Sequence, residues 1–212
     1  MSAMNHSLES LSPKEVKNKA GQIESLLANR SVLVRMEAAQ ALGRAGIGAS
    51  ALRERIRVEK NALVMTDLTE ALVSAGDPES LNLLTELAEV HPSNLVRSYA
   101  LMAVADLSRK DSLPFLRKRL QIEKGRRIRA TLHVLLFVYG ADDVRSLIDL
   151  LRSRDPTVRG RVANLLAYYR PRRKRPEVIA ALAAAQIEPN PGTRGGLEEA
   201  IEALGPSTRP GR

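Results

Sequence analysis

The feature that most constrains this chain is a pattern that returns at a spacing of 30 to 35 residues along almost its whole length. Each copy opens with an aliphatic residue, usually followed by Arg. Apolar residues come four, seven, eight and eleven positions later, often with Gly at twelve. The copies begin at Val34, Val64, Val96, Ile128, Val158 and Thr193. At about 100° per residue these offsets fall on one face of a helix. A Gly just past the last apolar position (Gly46, Gly76, Gly140 and Gly205) supplies the left-handed residue that ends such a helix. Between the copies lie further apolar segments, over 50–59, 79–91, 112–123, 142–152 and 176–186, and a leading one over 13–29. Each unit therefore reads as helix, short turn, helix. One pair cannot bury its apolar face alone, so neighbours must stack into a continuous core. The pattern predicts an all-α array over 13–205, with disordered ends at 1–12 and 206–212.

Composition supports helices and removes several kinds of chemistry. Aromatic residues make up 3% of the 212 residues and Trp is absent. The core must then be built from Leu, Val, Ile and Ala, which suits closely packed helices better than a β-sandwich. There is no Cys, which excludes disulfides and thiolate metal sites. The polar start has no run suited to a signal peptide, and no stretch approaches a membrane span. A cytoplasmic setting and no membrane insertion are the corresponding expectations.

The repeats resemble HEAT-like repeats, in the short form of the phycobilisome-lyase type. Their motif, Asp/Asn-x-x-Val-Arg-x-x-Ala-x-x-Ala-Leu-x-x-Leu-Gly, is best matched at Ser31–Gly46, Ser93–Ser108 and Asp155–Tyr169. The second repeat departs with Met65 in the Arg position, and the sixth with Thr193, Gly195 and Gly196. The resemblance implies a right-handed α-solenoid of about six helix pairs. It further implies that the recurring Arg (Arg35, Arg97, Arg129, Arg159, Arg194) forms a structural ladder to an acidic side chain or to turn carbonyls of a neighbouring repeat.

No catalytic constellation is legible. Of the three histidines, His6, His91 and His133, none has a partner at metal-ligand spacing, and no metal or cofactor is expected. The segment Asn190 to Gly196 lacks a phosphate loop's Gly-Lys-Ser/Thr ending and reads as a linker. Members of the resembled family include bilin lyases and DNA glycosylases, the latter using Trp and Asp in a concave cleft. This chain has no Trp, and the expectation is a non-enzyme.

Charge and helix geometry nominate two binding surfaces. The net charge of +9 is unevenly spread. Residues 61–106 hold one basic and seven acidic residues, whereas 109–175 hold nineteen basic and six acidic. The family's concave face is lined by the second helix of each pair. Offsets three, six and ten on that helix point away from the core face. They nominate Tyr99, Met102, Thr131, Val134, Val138, Arg161, Asn164 and Tyr168 as a protein-binding stripe, with Val134 and Val138 alternatively packing against an adjacent repeat. The basic set is Lys124, Arg126, Arg127, Arg152 and Arg154 at turns, and Arg170, Arg172, Arg173, Lys174 and Arg175 in one run. It suits an acidic partner surface. The expected function is a scaffold or adaptor binding a protein through its concave face and basic C-terminal half. Sequence-independent nucleic-acid binding is the alternative, and a bilin-lyase-like or glycosylase-like enzyme a distant third.

Overall fold

The computed structural model describes residues 8–140, 144–172, 175–185 and 190–205. All regular structure among them is helical. The chain divides into two compact units, residues 1–109 and 110–212, where the repeat pattern predicts one array. Each unit is a stretch of α-solenoid.

In the first unit the helices are α1 (Pro13–Asn18), α2 (Ala20–Leu26), α3 (Val32–Ala45), α4 (Ala49–Val58), α5 (Ala62–Ser74), α6 (Leu81–Val90) and α7 (Asn94–Ser108). The second helices of successive pairs form one layer, α3 against α5 and α5 against α7, while α2, α4 and α6 each pack against the helix that follows. Small residues set the spacing. A Cβ built on Gly43 of α3 would lie 2.8 Å from the Cα of Ala71 on α5, so only glycine permits this approach. The leading helix, expected unbroken over 13–29, is interrupted at Lys19 (φ −112°, ψ 18°), two residues before the poor helix former Gly21. Hydrogen bonding continues through the break from Ile23 N–H to the Lys19 carbonyl, so the chain kinks without reversing.

Residues 8–12, expected to be disordered, have defined structure. Leu8–Ser10 forms a 3-10 turn with Leu8 buried, and Arg44 donates to the Leu8 carbonyl at 2.9 Å. Ser12 then caps α1 in a reciprocal capping box with Glu15. The expected disorder therefore does not extend to residues 8–12; residues 1–7, including His6, and residues 206–212 lie outside the described residues.

The second unit contains α8 (Leu113–Ile122), α9 (Arg126–Tyr139), α10 (Val144–Leu151), α11 (Pro156–Tyr169), α12 (Arg175–Ala185) and α13 (Pro191–Leu204). The layering is repeated, with α9 against α11 and α11 against α13, and α10 beside α12. The segment expected to be a linker is instead the start of α13. Asn190 caps the helix by accepting from Thr193 N–H at 3.0 Å, Pro191 occupies the first turn, and the Thr193 hydroxyl donates to the Pro156 carbonyl at 3.2 Å.

The predicted caps hold at Gly46 (φ 65°), Gly76 (φ 65°) and Gly140 (φ 96°). At the fifth repeat Arg170 takes the left-handed position at φ 46°, despite the steric cost to a residue with a Cβ. Gly205 departs from the expectation: at φ −59° and ψ 165° it leaves α13 in an extended conformation.

Candidate functional site

The recurring arginines fold back onto the turn that precedes their own helix. Arg35 donates to the carbonyls of Asn29 (2.9 Å) and Arg30 (3.1 Å). Arg97 donates to those of His91 (2.8 Å) and Pro92 (3.3 Å), and Arg129 to those of Leu120 (2.7 Å) and Glu123 (3.1 Å). Arg159 donates to the Ser153 carbonyl. In all four the carbonyl six residues back is bonded. These carbonyls close the C-terminal end of the first helix, where orphan acceptors and the negative end of the helix dipole favour a cation. The ladder is thus structural as expected, but its carbonyl contacts lie within the helix pair and not in a neighbouring repeat. Arg194 is exposed.

A second device in the same turns has no fixed residue type and escaped the sequence reading. Two positions before each N-cap, a side chain accepts the N-cap's backbone N–H. The acceptors are Asn29 (from Ser31, 2.8 Å), Glu59 (from Asn61, 2.8 Å), His91 Nδ1 (from Ser93, 3.1 Å), Glu123 (from Gly125, 2.8 Å) and Ser153 (from Asp155, 3.2 Å). Each stands six residues before the ladder position, and that interval is the signal that could have found them. His91 is accordingly a turn acceptor.

Where the ladder Arg is missing, at Met65, the turn is held from outside. Glu59 is buried and takes a forked pair from Arg35, Nε at 2.8 Å and the terminal nitrogen at 3.1 Å, with Arg55 Nε at 3.0 Å. Burial alone would raise its pKa. The hydrogen bonds from Arg35, Asn61 N–H, Arg55 and Lys60 N–H outweigh this and bring it to about 2. Arg53 makes a second link between pairs, to Asp77 and to Glu79 (2.8 Å).

The stripe nominated on the second helices is not one open surface. Met102, Thr131 and Val134 are buried, because α7 and α9 are covered over most of their circumference. Tyr99, Val138 and Arg161 are half-buried, and Asn164 and Tyr168 are exposed. For Val134 the alternative reading, packing within the fold, is the one the structure supports. In the first unit the same columns also carry acid, at Asp67, Glu70 and Asp106. Burial raises the pKa of Asp67 against a hydrogen bond from Gln40, and raises that of Glu70 together with the charges of Asp67 and Asp106.

The basic set divides. Lys124, Arg126, Arg127, Arg152 and Arg154 are exposed at the turn edge of the second unit. Beside them, hydrogen bonds from the Thr157 hydroxyl and backbone N–H, with a smaller contribution from the Arg126 charge, hold the Asp155 carboxyl below its ordinary range. Arg172 is exposed, and Arg170 is exposed with Nε on the Ala167 carbonyl (3.2 Å). Arg175 closes the end of α13, its guanidinium donating to the carbonyls of Leu204 and Gly205. Arg173 and Lys174 lie outside the described residues. Beside this run, Tyr169 is edge-on to Tyr168 (centroids 4.9 Å apart) and to Tyr139 (6.4 Å).

Members of the two nominated sets meet in one place. A polar hollow of about 310 Å³ is lined by Arg127, Arg161 and Asn164, with Thr157, Asn190 and Thr193 from the starts of α11 and α13. Arg161 is oriented there by its Nε bond to the Thr131 hydroxyl (3.0 Å), and that hydroxyl donates to the Arg127 carbonyl (3.2 Å). The arrangement offers cations and neutral donors to a carboxylate or other oxyanion.

Among the described residues, no group of His, Asp and Glu could hold a metal ion, and no helix is long and apolar enough to cross a membrane. Compared with known families, residues 49–135 match the family model of HEAT repeats. No curated protein matches the chain.

Proposed function

Because this chain is a HEAT-like repeat protein, we propose that it is a scaffold that binds a protein partner, and that the partner presents an acidic surface to the second unit. The observation that carries this reading is the hollow where Arg127, Arg161 and Asn164 converge. Exposed Lys124, Arg126, Arg152 and Arg154 line the adjoining turn edge. HEAT repeats generally serve protein–protein scaffolding, and cations on one flank would steer an acidic partner and fix its register. The second-helix face takes part through Arg161, Asn164 and Tyr168, while the buried members of the nominated stripe hold that face rigid. The protein works without catalysis and in the cytoplasm.

A second reading has one observation in its favour. Exposed Tyr168, in its cluster with Tyr139 and Tyr169 and next in sequence to Arg170 and Arg172, pairs an aromatic face with cations, as single-stranded nucleic acid requires.

Affinity capture from native lysate, with and without nuclease, separates the two. Partners retained after nuclease, and lost when Arg126→Ser and Arg127→Ser are introduced together, support the scaffold. Capture that disappears on nuclease treatment would favour nucleic acid.

A further inference from the structure

On the first-helix side of the second unit lies a cavity of about 730 Å³, open to solvent between α10, the start of α11 and α12. Its floor is apolar, from Ile148 and Leu151 on α10 and Ala180, Ala181 and Ala184 on α12. Ala180 and Ala184 are exposed one helical turn apart, and with nothing beyond Cβ they leave room for another element's side chains. The rim is basic: Arg152 and Arg154 are exposed in the turn after α10, and Arg159 stands beside them. Among the described residues the carboxylate on the rim, Glu177, is already engaged. None of the floor belongs to the stripe nominated from the second helices.

An apolar trough between helices with cations on its lip matches how amphipathic helices are recognised. Ridge residues at helical spacing enter the trough, and flanking charges set orientation and partner choice. We propose that this cavity docks an acidic amphipathic helix of a partner protein, its apolar ridge on the alanine floor and its carboxylates on Arg152 and Arg154. The inference rests on the reading of the chain as a protein-binding module.

The test uses the full chain and two labelled peptides of about 16 residues, both of Leu and Glu. One has leucines at helical spacing; the other has the same composition scrambled. Fluorescence anisotropy should show the amphipathic peptide binding about tenfold or more tightly than its scramble. Ala184→Trp, which fills the floor, should abolish that preference, as should the exposed pair Arg152→Glu and Arg154→Glu. Lys14→Ser with Lys17→Ser, exposed on α1 of the first unit, should leave it within about twofold. Circular dichroism checks that Ala184→Trp is folded; if it is not, the exposed arginine pair decides alone. Equal binding of both peptides would show charge attraction only and overturn the cavity while the scaffold reading stands. Binding of neither overturns the cavity, and the lysate capture then decides the broader reading. Self-association that blocks the peptide and is relieved by Ala184→Trp would assign the cavity to a second copy of this chain, against the proposal.

Discussion

The two units are built from the same helix pair and place their charge in different ways. In the first, three arginines are tied to acidic side chains, while Lys14, Lys17, Lys19, Arg30, Arg57 and Lys60 stay exposed. Arg35 and Arg55 converge on buried Glu59, and Arg53 bridges to Asp77 and Glu79. In the second, Lys124, Arg126, Arg127, Arg152 and Arg154 face solvent at the turn edge. Arg119 of that unit pairs with Glu123 at 3.3 Å. The same fold thus supports cations that hold helix pairs together and cations left facing water. Buried pairs cost heavily when broken, whereas exposed charges contribute little to stability. That contrast is what substitutions can break.

The largest effect is expected at Glu59→Gln. It leaves two guanidinium groups facing a neutral amide in a buried turn and should destabilise by about 3 kcal/mol at neutral pH, measured by urea unfolding. The sign with pH follows from a carboxylate held at about 2, below the ordinary 4.5. Its contribution is complete above about pH 4.5 and is lost as pH falls toward 2, so wild type and variant should converge in acid. A difference that persisted at pH 2 would show that shape and not charge explains the loss.

Gly43→Ala comes next. The new Cβ would meet the Ala71 backbone at 2.8 Å, so α3 and α5 must separate. Overpacking of this kind costs about 2 kcal/mol, partly offset by about 1 kcal/mol of helix propensity, and should lower the thermal midpoint. A rise would mean that the layer gives way freely.

The smallest stability effect belongs to Arg126→Ser with Arg127→Ser in the second unit. Unfolding should change by no more than about 0.5 kcal/mol, because both side chains are exposed. A loss as large as that at Glu59 would erase the distinction between the units.

The sequence made the repeat legible because helical packing imposes a fixed apolar interval. The left-handed caps at Gly46, Gly76 and Gly140 were equally plain, since few residue types serve there. The turn acceptors were hidden for the opposite reason. Any short or bent side chain with a lone pair will serve, so Asn29, Glu59, His91, Glu123 and Ser153 share a task without sharing a type. The stripe failed at Met102, Thr131 and Val134 because a helical wheel assumes one buried face, whereas α7 and α9 are buried over most of theirs. Arg175 misled because a run of basic residues looks alike whether its members face water or, like this one, close the end of a helix.

The closed turns also decide what a partner arriving at that edge can read. Turn carbonyls are bonded to the recurring arginines and N-cap amides to the acceptor side chains, so these groups are unavailable to a visitor that might add a strand or borrow a backbone amide. It meets guanidinium and ammonium groups on flexible stems instead. On the proposed scaffold reading, recognition there would be tolerant of the visitor's exact sequence, sensitive to its charge and weakened by salt. Such an edge would exchange one acidic partner for another without any change in the fold beneath it.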